Sequence, residues 1–420
     1  MPLRERLFHH PAFVRFYCGD VATQLASAIA FIVIPLIAVT LLSATPFEVG
    51  LIAACARAPF MLFTLLAGVA VDRRERRSIL LIANMVRFAV LLTLAVTAWR
   101  GELSVTLLLL GVFIVGCANV YFEVAYWSYL PGVVPPSLIS RASGALAAIA
   151  GAGELIGPAV GGAMINTSGA CGTLLLNALL FLAGSYLLLG LPASRPAQVE
   201  EGRPSGLAQI KEGLVTLFRE PVLRRLVIIG TAWNLFACTA TPQLVVYLSS
   251  GVGLDASAVG LVLAAQGFGG LVGALCAGSV GEKWGAGGAI FLGGIVYGLF
   301  SLAICFPSLL PLPVAYCMTA FLFLAGWGSS VGVVNILSLR QRACPGPLLG
   351  RVNASFRFIT WGIMPACALL GGLLSQRFGS HAVIMGTCAG GVVAIMLSFR
   401  GGVRILAKPQ DEPPDVTVLE

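Results

Sequence analysis

Gly68-Val69-Ala70-Val71-Asp72-Arg73-Arg74-Glu75-Arg76-Arg77 joins two apolar runs, at about 48–69 and 78–98. Each run is long enough to cross roughly 30 Å of hydrocarbon. The basic cluster between them cannot follow them there, because a lipid-facing charge costs roughly 2.5 kcal/mol or more. Helix, short basic loop, helix is therefore the local reading, and the rest of the chain repeats it. Of 420 residues, 58% are hydrophobic and only 10% charged, against roughly 25% charged in soluble domains. So few charges cannot cover a water-facing surface, so lipid surrounds most of the chain. The counts of 50 Gly and 23 Pro fit, since both are commoner in transmembrane helices than in soluble ones.

Further apolar runs place spans at about 14–40, 104–129, 144–165 and 171–190 beside the two already named, then at 225–247, 256–278, 287–307, 313–337, 353–374 and 380–399. The expected fold is all-α, twelve transmembrane helices in two six-helix bundles. The expected boundaries are 1–191 for the first bundle, 192–224 for a linker, 225–402 for the second bundle and 403–420 for a disordered tail. The linker carries Glu200, Glu201, Arg203, Lys211 and Glu212, and Ile210, Leu214 and Leu217 at helical spacing suggest an amphipathic segment on the membrane surface. The polar start of the chain and the absence of a small-residue cleavage site predict that the first apolar helix is retained. With the N-terminus in the cytoplasm, only Arg100 and Arg377 of the 26 Lys and Arg fall on the far side, and Arg57, Arg87 and Arg357 fall within or at the edge of helices. That is the positive-inside pattern, and an even number of spans returns the C-terminus to the cytoplasm.

The halves are also copies of each other. Pro11 and Arg15 recur as Pro221 and Arg225, Val49-Gly50-Leu51 as Val259-Gly260-Leu261, and Gly68 and Asp72 as Gly278 and Glu282. Pro135 recurs as Pro345, Arg141 as Arg351, and Gly161-Gly162 as Gly371-Gly372, every pair 210 positions apart. A constant offset implies parallel halves related by an axis along the membrane normal.

The loop quoted first resembles the signature loop of the major facilitator superfamily, with Glu75 and Ala70 departing from the usual Gly and Leu. The resemblance implies a cytoplasmic gate of Gly68, Asp72, Arg73, Arg76, Arg77 and Arg141, with Glu282, Lys283 and Arg351 in the second copy. In that reading Gly68 permits close helix contact and Asp72 is a fixed acceptor. Gly153, Gly157 and Gly161, spaced by four, let a second helix approach, while Pro158 favours a bend. With Gly162 they resemble the glycine-proline motif of drug antiporters. A closer resemblance is to the bacterial exporter group that includes enterobactin exporters and macrolide efflux proteins, through Gly50 to Arg77, Pro131 to Gly162 and Gly350 to Ala354. Ala26, Ser27 and Asn84 stand where that group often carries Gly-Asp and Asp, so its acid-based coupling site does not carry over directly.

Charges inside the membrane are candidates for coupling: Glu123, Glu154, Asp20, Arg57 and Arg87, with Arg357 beside them. Glu123 or Glu154 could take up and release a proton, or could be held in a fixed pair with Arg57 or Arg87. Asp20 and Arg357 read as structural groups near helix ends. The second half has no acid within its helices. Gln24, Phe31, Asn119, Tyr126, Asn234, Gln243 and Trp327 are the candidate lining of a central cavity, with Gln24 and Asn234 at matching positions. The eleven cysteines are scattered singly and His9, His10 and His381 fall at a terminus and in a loop, so no metal site, catalytic group or cofactor is expected. No phosphate-binding loop is present, and the dispersed net charge of +8 does not point to nucleic acid. The expected function is proton-driven export of a small amphipathic drug, macrolide or siderophore across the bacterial inner membrane by a monomer, with protons and lipids as the other partners. An importer on the same fold, and a receptor or lipid-moving protein without ion coupling, remain alternatives.

Overall fold

The computed structural model describes residues 7–192, 206–306, 312–344 and 348–400, without the side chains of Leu65, Asp72, residues 206–211 and Arg400. The expectations for the tail at 403–420, for the polar linker residues 193–205 and for Pro345 therefore lie outside the described residues, as does the role given to the Asp72 side chain. Twelve α-helices occur among the described residues. They are α1 (Pro11–Thr40), α2 (Pro46–Arg73), α3 (Arg76–Arg100), α4 (Val105–Tyr129), α5 (Ile139–Leu189) and α6 (Gly206–Arg219), then α7 (Pro221–Val246), α8 (Ala256–Ala303), α9 (Val314–Ala343), α10 (Leu349–Gly362), α11 (Met364–Phe378) and α12 (Ser380–Arg400). No strand occurs among the described residues.

Local chemistry sets the helix starts. Thr45 and Glu48 form a reciprocal capping box at α2, and the side chains of Ser104 and Asp255 accept from backbone N–H groups at the starts of α4 and α8. Proline, which needs no donor there, opens α1, α2 and α7. The 210-residue register persists in these boundaries, since Pro11 answers to Pro221, Pro46 to Ala256 and Ile139 to Leu349.

Among the described residues ten stretches are long and apolar enough to cross a membrane, where the sequence predicts twelve. Two of the ten, Pro136–Leu189 and Ala256–Ala303, are of double length. Each has one interior residue with non-helical φ and ψ, Gly169 (φ 64°, ψ −174°) in α5 and Gly285 (φ 72°, ψ 156°) in α8. Positive φ with extended ψ is essentially closed to residues with a Cβ. Gly379, the image of Gly169, separates α11 from α12 in the same conformation. The image of Gly285 is Glu75, which caps α3 at φ −63° and so needs no glycine. The interior break in α5 thus falls at Gly169, and the helix runs through Pro158, where the sequence suggests a bend.

In the first half α5 packs on α1 and α3, and α4 on α2 and α3; in the second α8 packs on α9, and α7 and α8 on α12. The halves meet where α5 lies against α8 and α2 against α11. Large apolar side chains such as Leu62, Leu66, Trp99, Leu110 and Leu275 are more than half exposed, which fits a protein whose solvent is lipid. Helix α6 packs on the second half. Gly213 lies against the Arg351 backbone of α10, and Leu217 is fully buried among residues of α7 and α10, while Val215 and Phe218 stay exposed.

Candidate functional site

One end of the molecule, at the start of α2 and α8, is sealed across the halves by paired glycines. A Cβ on Gly50 would sit 2.8 Å from the Gly372 Cα, and one on Gly162 would sit 2.9 Å from the Gly260 Cα. Gly50 and Gly260 are images of each other, as are Gly162 and Gly372, so one contact is made twice. Polar bonds reinforce it: Gln243 Nε2 donates to Pro46 O at 3.1 Å, and Asn166 Nδ2 donates to Asp255 and, at 2.9 Å, to Ser257 Oγ. Gln243, expected in the cavity, is therefore a fully buried staple at this end.

The opposite end is open. A Cβ on Gly68 or on its image Gly278 would meet nothing within 4 Å, so the close contact expected of Gly68 is not made in this conformation. Three basic residues there bond near their own half. Arg15 donates to Gly190 O at 2.8 Å, Arg77 to Leu189 O, and Arg351 pairs with Glu212 of α6. Arg73, Arg141, Glu282 and Lys283 are exposed, and Arg76 is half-buried.

About two turns in from that end, Arg357 Nη2 of α10 meets Glu123 Oε1 of α4 at 2.7 Å, across the halves. The guanidinium also lies 4.0 Å over the Trp361 ring. Glu123 thus has an ion-pair partner, but it is Arg357 rather than Arg57 or Arg87. Exposed pairs of this kind contribute roughly 0–1 kcal/mol.

Asp20, which reads from the sequence as a helix-end residue, is the tenth residue of α1 and 2% exposed. Tyr126, expected in the cavity, is buried too, and its hydroxyl donates to Asp20 Oδ2 at 2.7 Å. Around them runs a polar network confined to the first half. Arg87 donates to Asn84 Oδ1 at 2.8 Å, and Asn84 donates to Thr23 at 3.1 Å. The Arg87 guanidinium sits 4.3 Å over Phe122 and 5.2 Å from Phe181. Gly19 and Gly184, in contact, bring α1 and α5 close enough for this network to form. Asp20 Oδ1, Arg87 Nε, Ser185 Oγ and both amide atoms of Asn177 are buried without a partner. Such atoms cost free energy unless water, a proton or a conformational change satisfies them. Asn84, Asn177 and Ser185 were not among the residues the sequence singles out for the site, although a lone Asn in an apolar run is the available signal.

Gly153 and Gly157 lie against Ala28 of α1, and Gly161 against Val33, so the small-residue face expected in α5 finds its partner. Arg57 and Glu154 are exposed within their helices. Phe31 is exposed, and Gln24, Asn119, Asn234 and Trp327 are half-buried. Trp327 also packs its backbone against Gly273 of α8. His381, expected in a solvated loop, lies in the first turn of α12 with Nε2 3.0 Å from Cys305 O. All eleven cysteines are free.

Residues 16–366 match the family model described as Major Facilitator Superfamily. The chain is 25% identical to the enterobactin exporter EntS of Escherichia coli O1:K1 / APEC, over 98% of this chain and 96% of the relative. Its fold is similar to that of a bacterial homologue of the iron transporter ferroportin in an inward-facing state, with a TM-score of 0.74 at 15% identity, covering 95% of this chain and all of the other. It is also similar to the nucleoside transporter NupG, with a TM-score of 0.72 at 12% identity over 93% of this chain and 98% of the other.

Proposed function

The chain belongs to the Major Facilitator Superfamily, a transport family and not an enzymatic one, and we propose that this multi-pass membrane protein, a transporter of a small molecule by alternating access, is a proton-driven exporter. Its cargo is an amphipathic compound of the drug, macrolide or siderophore kind. In this reading twelve spans form two six-helix halves, 1–191 and 225–402, joined by the linker 192–224. Both termini face the cytoplasm, and the protein acts as a monomer in the bacterial inner membrane. The conformation described is the one open to the cytoplasm, because the loop at Gly68 lies on the basic side.

The observation that carries the coupling is the Asp20–Tyr126 pair. A carboxyl group buried in the first half, bonded to the Tyr126 hydroxyl and close to Gln24, changes its environment when the halves rock. Asp20 takes the proton from outside and gives it up inside, Arg87 and Asn84 hold the surrounding network, and Glu123–Arg357 acts as a gate latch. The similarity to exporters favours export over import. The test is uptake of a lipophilic cation dye and a macrolide into everted vesicles with an imposed proton gradient. Gradient-dependent accumulation supports the reading. Uptake only in right-side-out vesicles favours an importer, and binding without flux in either favours a receptor or lipid-moving protein.

A further inference from the structure

Of the charges at membrane depth, Glu123 and Arg357 satisfy each other, and Asp20 and Arg87 are sealed inside the first half. Arg57 and Glu154 remain. Both are exposed, and among the described residues neither has an ion-pair partner; Arg57 Nη1 meets only the Met364 sulfur, at 3.8 Å.

Their placement is related by the internal repeat. Arg57 of α2 faces Met364 of α11, and Glu154 of α5 lies where a Cβ on Gly267 of α8 would strike its backbone. Gly267 is the image of Arg57, and Met364 is the image of Glu154. The two charges therefore stand at matching depth on the two opposite seams between the halves, and the facing helix offers neither a counter-charge. Both point inward. Gly153, Gly157 and Gly161 of α5 touch α1, whereas Pro158 and Gly162 touch α8. At 3.6 residues per turn Glu154 projects between those two contact faces, not towards lipid. Arg57 reaches Met364 of α11, and α2 also touches α7, so this side chain is turned towards the second half.

A positive and a negative side chain left unpaired on the two seams between the halves call for a ligand that carries both signs. We propose that Arg57 and Glu154 are the two poles of the cargo site, and that the cargo is zwitterionic, with an acidic group bound to Arg57 and an ammonium to Glu154. The inference rests on the transport reading, which supplies the cavity as the cargo site.

The test is equilibrium binding to the purified full chain in lipid nanodiscs without any gradient. The probe is Nα-dansyl-lysine, compared with its methyl ester, its Nε-acetyl derivative and the doubly blocked form, all followed by dansyl fluorescence. The zwitterion should bind roughly tenfold more tightly than each of the others, the equivalent of one charge-assisted contact. Arg57→Gln should remove the preference for carboxylate over ester, Arg57→Lys should keep it, and Glu154→Gln should remove the preference for ammonium over acetamide. Equal affinity for all four probes, no binding of the zwitterion, or preferences that survive both neutral substitutions would overturn the proposal. Gradient-driven flux in vesicles is read separately. Flux without charge preference defeats this inference alone, and charge preference without flux defeats the transport reading alone.

Discussion

The interiors of the two halves occupy matching positions and hold opposite chemistry. Where the first half has Asp20, Thr23, Asn84 and Arg87, the second has Gly230, Trp233, Gly294 and Tyr297. There Trp233 stacks on Tyr297 with ring centroids 4.9 Å apart and planes at 17°, beside a small apolar cavity lined by Gly294, Gly298, Cys388 and Ile395. A repeat that preserves helix boundaries and glycine seams has not preserved what lies inside the bundles. Seam contacts must match, because both sides move against each other, whereas in the proposed reading a proton-sensing group is needed only once. At these positions the proposed coupling group belongs to the first half alone, while the second half buries its own polar groups elsewhere, such as Asn335 and Arg340.

The largest effect should separate the two interiors. Asp20→Asn should reduce gradient-driven transport to background while the protein still reaches the membrane, and Tyr297→Phe in the second half should leave it nearly unchanged, both read in everted vesicles. Equal losses would erase the functional difference between the halves. Next in size is a break in what they share. Gly162→Val would press its side chain into the Gly260 backbone, and Gly372→Val into Gly50 and Phe47, where neighbouring backbone cannot yield. Each should destabilise this conformation by about 1–3 kcal/mol, read as a lower thermal midpoint in detergent. A seam variant with wild-type melting would mean that the glycines are not the contact. The smallest effect is expected of Glu123→Gln. Loss of a half-exposed ion pair should change stability by less than about 1 kcal/mol, and the same melting measurement checks it.

The apolar runs, the repeat and the small-residue face of α5 were legible in the sequence because hydropathy and small-residue spacing act along one helix at a time, whereas the pairing of Gly50 with Gly372 and of Gly162 with Gly260 across the halves was not. The roles of the embedded charges were not. A sequence gives the depth of Glu123 along α4 but not that Arg357, 234 positions away, faces it. Asp20 reads as a helix-end residue because it lies near the chain start, yet α1 already begins at Pro11 and buries it against Tyr126. Gln243 reads as a cavity residue by its polarity, but its height on α7 puts it at the seam with Pro46. In each case the missing quantity was the neighbour on another helix. The positive φ at Gly285, in contrast, could have been expected from the glycine that the first copy lacks at Glu75.

The most direct test of two halves rocking about a shared seam is a pair of distances measured by electron spin resonance in a cysteine-free background. Labels replace Arg141 and Arg351 at the open end, and Thr167 and Arg377 at the sealed end. Changing the pH across the working range should shorten the first distance as the second lengthens. Distances that stay fixed, or that change in the same sense at both ends, would contradict the account.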